Sequence, residues 1–157
     1  MNVIKNILSE EERKHIIKCW EEYGDIVEDH QAVGTKVIRL PEFLFPYLEK
    51  VKPIIEEDSG YKLTGKYTAI RLYKKGDKLA KHTDNAAEFA ISIIVDQSDQ
   101  LDNFLVFYDD TFETTVNLGI GEGCYFRGTR VPHERLEVQS DYILHIYLGY
   151  DIATHVI

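Results

Sequence analysis

Residues 64–73 read TGKYTAIRLY, and the period of that stretch decides the fold. It is rich in β-branched and aromatic residues and alternates with a period of two, the mark of a strand. The same pattern recurs downstream in EFAISIIVD, FLVFY, TTVNL, GCYFRG, RLEV and YILHIYLGY, with Gly, Asp, Asn and Pro between the runs. No helical segment intervenes. Seven or eight short strands in about 90 residues, with no crossover helices, argue for antiparallel pairing. Such a chain closes into a barrel or a two-sheet jelly roll, a double-stranded β-helix, rather than a parallel α/β sheet.

The chain before Gly60 has a different period. LSEEERKHIIKCWEEYG reads as a helix, with Ser9 and Glu12 forming a capping box and Ile7 or Leu8 available as its hydrophobic staple. Ile16, Ile17, Trp20 and Tyr23 recur at helical spacing, and Gly24 is a stop signal. TKVIRL reads as a strand. Pro41 then opens PEFLFPYLEKVKPIIEE, where Leu44, Leu48, Val51 and Ile55 keep a helical period and Pro53 should kink or shorten the helix. The expectation is one domain over 1–157, mainly β with flanking N-terminal helices. Its helical front, about 1–58, would cover an outer face of a barrel spanning about 60–152.

Bulk properties narrow the function. A length of 157 residues suits a single domain, and a hydrophobic share of 44% is enough for a core. Twenty-seven acidic against 18 basic residues leave a formal charge of −9, a field that repels phosphates and makes nucleic acid an unfavoured partner. Cys19 and Cys124 form no CxxC pair and suggest neither a zinc ribbon nor a disulfide framework. The first residues do not read as a signal peptide, and no apolar run approaches membrane-spanning length. The reading is a soluble, cytoplasmic protein.

The chemistry centres on AKHTDN, residues 80–85. His82 and Asp84 lie two apart and would share a face if the segment were extended. Alone, such a pair is an ordinary polar strand end. Five other histidines bear on a third ligand. His15 on the front helix, His30 in an acidic loop and His155 in the C-terminal tail read as surface residues. His145 on the last strand is a weaker candidate, since such a residue is more often a hydrogen-bonded core histidine. His133, in GCYFRGTRVPHERLEV, follows Asp84 by 49 positions, enough for strands to pass and return, and sits where a strand ends and a loop turns. Two imidazoles and a carboxylate on one face of an octahedron are the ligand set of non-heme iron.

These residues carry a resemblance. IRLYKKGDKLAKHTDN resembles the Y-x-x-G-x-x-x-x-x-H-x-D segment of iron(II)- and 2-oxoglutarate-dependent dioxygenases of the prolyl-hydroxylase type, with Tyr73, Gly76, His82 and Asp84 in the matching places. GEGCYFRGTRVPHERLEV is similar to the family's G-x-x-x-x-F-x-G…H-x-x-x-x-V segment through Gly121, Phe126, Gly128, His133 and Val138. DNFLVFYDD looks like a family strand that commonly begins with two glycines, absent here. The SEEER helix resembles the one preceding the barrel. The likeness runs from Asn6 to Tyr150.

The resemblance implies Fe(II) held by His82, Asp84 and His133, with 2-oxoglutarate as cosubstrate and ascorbate as a candidate reductant. It implies hydroxylation of a C–H bond, coupled to decarboxylation of the keto acid to succinate. Related halogenases lack the carboxylate that Asp84 supplies, so its presence favours hydroxylation. Molecular oxygen and an unidentified peptide, protein side chain or small molecule would be the partners. SDQLDN and EDHQAVG are candidates for the pocket rim.

One family feature is missing. The cation that pairs with the far carboxylate of 2-oxoglutarate usually lies nine or ten residues after the distal histidine, and Tyr142 and Ile143 stand there. Arg71, which shares a strand face with Tyr73, is the leading replacement. Tyr73 points into the pocket in the family and would help bind the same carboxylate. His145 would serve if protonated, though a buried imidazole tends to lose its proton. Arg127 and Arg130 read as loop and rim charges. The missing cation also leaves open a metal-binding jelly roll holding Zn(II) or Ni(II) as an interaction module. A cupin-type oxygenase that uses no keto acid is the third possibility.

Overall fold

The structure, a computed structural model, describes residues 1–23, 27–28 and 35–155. Gly24, His30, Gly34 and most of EDHQAVG lie outside the described residues, as does the side chain of His155. The chain runs β1 (Asn2–Ile4), α1 (Glu10–Glu22), β2 (Val27–Glu28), β3 (Lys36–Arg39), a 3-10 turn (Glu42–Leu44) and α2 (Phe45–Ser59). Then come β4 (Tyr61–Lys74), β5 (Leu79–His82), β6 (Phe89–Gln97), β7 (Leu105–Asp109), β8 (Phe112–Val116), β9 (Gly123–Phe126), β10 (His133–Arg135) and β11 (Tyr142–His155).

Two antiparallel sheets form, in the order β1-β9-β6-β11-β4-β3-β2 and β5-β10-β7-β8. This is the jelly roll expected from the strand pattern. Two strands of the front, β1 and the β3 read in TKVIRL, are part of the larger sheet. β1 pairs with β9, and β3 pairs with β4. Strand β10 starts at His133 rather than after it, so that histidine belongs to a strand and not to the preceding loop.

Alternation splits the larger sheet into two faces. Ile70 of β4, Ile91 and Ile93 of β6, and Leu144, Ile146 and Leu148 of β11 face the helices. Helix α1 adds Ile16 and Trp20, and α2 adds Tyr47, Val51 and Ile55, so the two helices cover one outer face as expected. The intervening residues face the other way. Tyr73, Ala90, Ile94, Cys124, Phe126 and Ile143 meet Leu105, Phe107 and Val116 from the smaller sheet in a second core.

Helix α1 begins at a complete capping box: the Glu12 N–H donates to Ser9 Oγ (3.1 Å) and the Ser9 N–H donates to Glu12 Oε1 (2.9 Å). Ser9→Ala should lower stability by about 1 kcal/mol, measured by urea denaturation, with no change at the site described below. Pro53 does not shorten α2, which continues to Ser59 and ends at Gly60 in the left-handed conformation (φ 80°). Pro53 and Glu49 are both on the solvent side. The carbonyl that loses a partner to proline is therefore one that water can reach. Cys19 and Cys124 are unpaired thiols, and no described helix is long and apolar enough to cross a membrane.

Candidate metal centre

Two strand partners build the site. His82 ends β5, His133 begins β10, and they are direct neighbours across the antiparallel pair, with ring centroids 4.5 Å apart. Each ring is oriented by the carbonyl two residues before it. His82 Nδ1 lies 2.7 Å from the Ala80 oxygen and His133 Nδ1 lies 2.8 Å from the Val131 oxygen. A carbonyl only accepts, so each Nδ1 facing one carries a proton and both Nε2 atoms point inward, where each donates to Asp84 when protonated and offers a lone pair to a metal ion when not. Phe126 and Phe107 pack on the His133 ring at centroid distances of 4.6 and 5.9 Å and hold its plane.

Asp84 completes the group. Its backbone N–H donates to the Gly128 carbonyl at 2.8 Å, which fixes the turn after β5. Its Oδ1 lies 3.3 Å from His82 Nε2 and 3.2 Å from His133 Nε2, and its Oδ2 accepts the Tyr147 hydroxyl at 3.0 Å. The donor atoms of His82, Asp84 and His133 all lie within 4.8 Å of one another. Donors about 2.0–2.2 Å from one ion stand about 3 Å apart when adjacent, and Asp84 Oδ1 stands at close to that separation from both imidazole nitrogens, so the three could hold a divalent cation.

The electrostatics agree with that use. Burial alone would raise the Asp84 carboxyl; hydrogen bonds from His133 and His82, with help from Tyr147, outweigh it and hold the group well below the usual carboxylate range. Asp84 raises the His82 imidazole against the opposing effect of burial. Burial and the Asp84 charge push the Tyr147 phenol far up, so it stays a hydrogen-bond donor.

The triad opens on a cavity of about 410 Å³. Successive inward positions of β4 line it: Tyr67, Ala69, Arg71 and Tyr73. On β11, Tyr147, His145 and Ile143 stand beside Ala69, Arg71 and Tyr73 respectively. Tyr73 is 1% exposed, and its hydroxyl accepts Arg71 Nη1 at 3.3 Å. Arg71 thus lines the same cavity as Tyr73. His145 does too, but burial and the nearby Arg135 and Arg71 charges keep its imidazole neutral, so it offers no cation there. Arg127 and Arg130 line a separate depression with Tyr61, over whose ring the Arg127 guanidinium lies at 5.5 Å.

SDQLDN does not form part of this cavity's lining. Its Asn103 is buried and tied to the 139–140 turn, donating to Ser140 Oγ (2.7 Å) and accepting the N–H groups of Gln139 (2.8 Å) and Ser140 (3.2 Å). Three roles at the site are not legible in the sequence, although Gly128 is there as a motif residue. Tyr147 braces the carboxylate. Gly128 packs against it, since a Cβ there would stand 2.0 Å from Asp84 Oδ2. Arg135 lines the cavity at 2% exposure. Its signal was parity with His133, hidden once His133 was assigned to a loop.

No family model matches the sequence, and no curated protein is similar to it. Solved structures are. A 2OG-Fe(II) oxygenase family oxidoreductase from Burkholderia pseudomallei superposes with a TM-score of 0.80 at 13% identity, over 98% of this chain and 86% of that one. HygX from Streptomyces hygroscopicus, with nickel and 2-oxoglutarate bound, gives 0.77 at 10% identity over 96% and 82%. A prolyl-4-hydroxylase from Pseudomonas putida gives 0.72 at 15% identity over 94% and 91%. The fold is that of prolyl-hydroxylase-like 2OG-Fe(II) oxygenases, as the sequence resemblance implied.

Proposed function

We propose that the chain is an Fe(II)- and 2-oxoglutarate-dependent dioxygenase that hydroxylates a C–H bond of a peptide side chain or a small molecule. The observation that carries this reading is the convergence of His82 Nε2, His133 Nε2 and Asp84 Oδ1 at the wall of a cavity that also holds buried guanidinium groups. Fe(II) and the keto acid, when bound, supply the oxidative chemistry, with oxygen as the other reactant.

The protein's part is orientation. Ala80 and Val131 fix the two imidazole rings with Nε2 inward. Tyr147 holds the second oxygen of Asp84, leaving Oδ1 for the metal. Leu105, Phe107 and Phe126 give the cavity apolar walls beside the metal ligands. Asp84 would be a metal ligand where related halogenases lack a carboxylate, and this favours hydroxylation. The acidic charge of −9 supports a partner other than nucleic acid.

The test is an anaerobic titration of metal-free protein with Fe(II) and then 2-oxoglutarate, followed by visible absorption. A charge-transfer band that requires protein, metal and keto acid together is the expected result. Fe(II) binding with no such band would overturn the reading in favour of a metal-binding module or a keto-acid-independent oxygenase.

A further inference from the structure

Arg135 carries a charge for which the described protein provides no counter-charge. It is 2% exposed and among the largest fully buried side chains. Its Nη1 donates to the Asn103 carbonyl at 3.3 Å, while Nε and Nη2 are buried with no hydrogen-bond partner. No described carboxylate forms an ion pair with it. A guanidinium does not give up its proton, so the charge stays. Buried charges are normally paired, and two orphaned donors on one fork call for an acceptor with two oxygens.

The position matches such a ligand. Arg135 lies two residues past His133 on β10, on the same inward face and about 6.6 Å farther along the strand. Its guanidinium lies 4.9 Å from the centre of the Tyr73 ring. Tyr73 is the cross-strand neighbour of Ile143, one of the two positions where the sequence lacks its expected cation. Arg71 sits one inward position away, beside His145, and donates to the outer edge of the same tyrosine.

Resting on the oxygenase reading above, we propose that Arg135 on β10 is the anchor for the distal carboxylate of the keto acid, delivered from the smaller sheet in place of a cation on β11. The protein alone leaves this buried charge uncompensated, and a dicarboxylate would act as its counter-ion. The keto end lies toward the His82–Asp84–His133 group and the distal end under Tyr73.

The experiment compares two keto acids on Fe(II)-loaded protein without oxygen, by calorimetry: 2-oxoglutarate and 2-oxobutyrate, which lacks the distal carboxylate. The native protein should prefer 2-oxoglutarate by at least about 100-fold. In Arg135→Met the preference should fall to within about threefold, with Fe(II) affinity unchanged. Its thermal midpoint without ligand should equal or exceed that of the native protein, because removing a buried unpaired charge relieves the fold. Arg135→Lys, which keeps the charge and loses the fork, should weaken 2-oxoglutarate at least about tenfold and covers the case of a Met variant that does not fold. An unchanged preference in Arg135→Met, or its loss in Arg71→Met alone, would overturn the assignment while leaving the oxygenase reading intact. Failure of the native protein to bind either keto acid would instead sink that reading, and this one with it.

Discussion

Replacing Gly128 by alanine is expected to weaken Fe(II) binding by about 100-fold or more while the thermal midpoint moves by only a few degrees. The physical reason is local. A Cβ on Gly128 would stand 2.0 Å from Asp84 Oδ2 and 2.8 Å from its Cγ. The backbone on both sides is pinned by the Asp84 N–H bond to the Gly128 carbonyl at 2.8 Å, so the carboxylate has to swing away. In doing so it leaves Tyr147 and both imidazoles. Disturbing the support of a metal ligand typically costs 10–100-fold in affinity, and here the ligand itself is displaced. Gly128 does not have a positive φ, so alanine adds no backbone strain and the fold should hold. Gly60→Ala makes the opposite control: it strains a left-handed position (φ 80°) with nothing near its Cβ and should cost stability without touching Fe(II). Calorimetric titration under nitrogen checks both. Native-like Fe(II) affinity in Gly128→Ala would mean that Asp84 is not held where the binding reading needs it.

What could be read from the sequence was what local patterns determine. The capping box at Ser9 and Glu12, the buried stripe of Ile16 and Trp20, and the alternation in β4, β6 and β11 depend on neighbours within a few residues, and the structure shows them. The strand β1 could not be read, because three residues have no period and gain their partner only from β9, more than 100 positions away. Pro53 was read as a breaker because its tolerance depends on which side of α2 faces water. At the site, His82 and Asp84 were legible as a spaced pair and His133 through motif resemblance. Their meeting is a cross-strand register, His133 against His82, which no local pattern encodes. Arg135 was missed for a related reason. Parity along a strand assigns it to the cavity only once His133 is known to begin that strand. Tyr147 looked like one of ten tyrosines until the register of β11 set its hydroxyl on Asp84.

Ile146→Ala should be the most destabilising of the substitutions argued here. Ile146 is fully buried in the middle of β11, directly between Ile70 of β4 and Ile93 of β6. The three isoleucines stand abreast on the face covered by the helices. Truncation removes three methyl or methylene groups and leaves a cavity that close-packed neighbours cannot fill, at a cost of about 2–5 kcal/mol. For a chain of this size that lowers Tm by roughly 4–20 °C. The consequence for the site is separable. His145 and Tyr147, the residues on either side of Ile146, point to the opposite face of the sheet, where His145 lies against the Tyr73 ring and Tyr147 bonds Asp84. Below the unfolding transition, Fe(II) affinity should therefore stay within about threefold of native. Thermal unfolding followed by circular dichroism, beside the same anaerobic titration, distinguishes the two effects. A large loss of Fe(II) affinity at a temperature where Ile146→Ala is folded would mean that the helix layer sets the position of the site's side chains rather than only bracing the sheet that carries them.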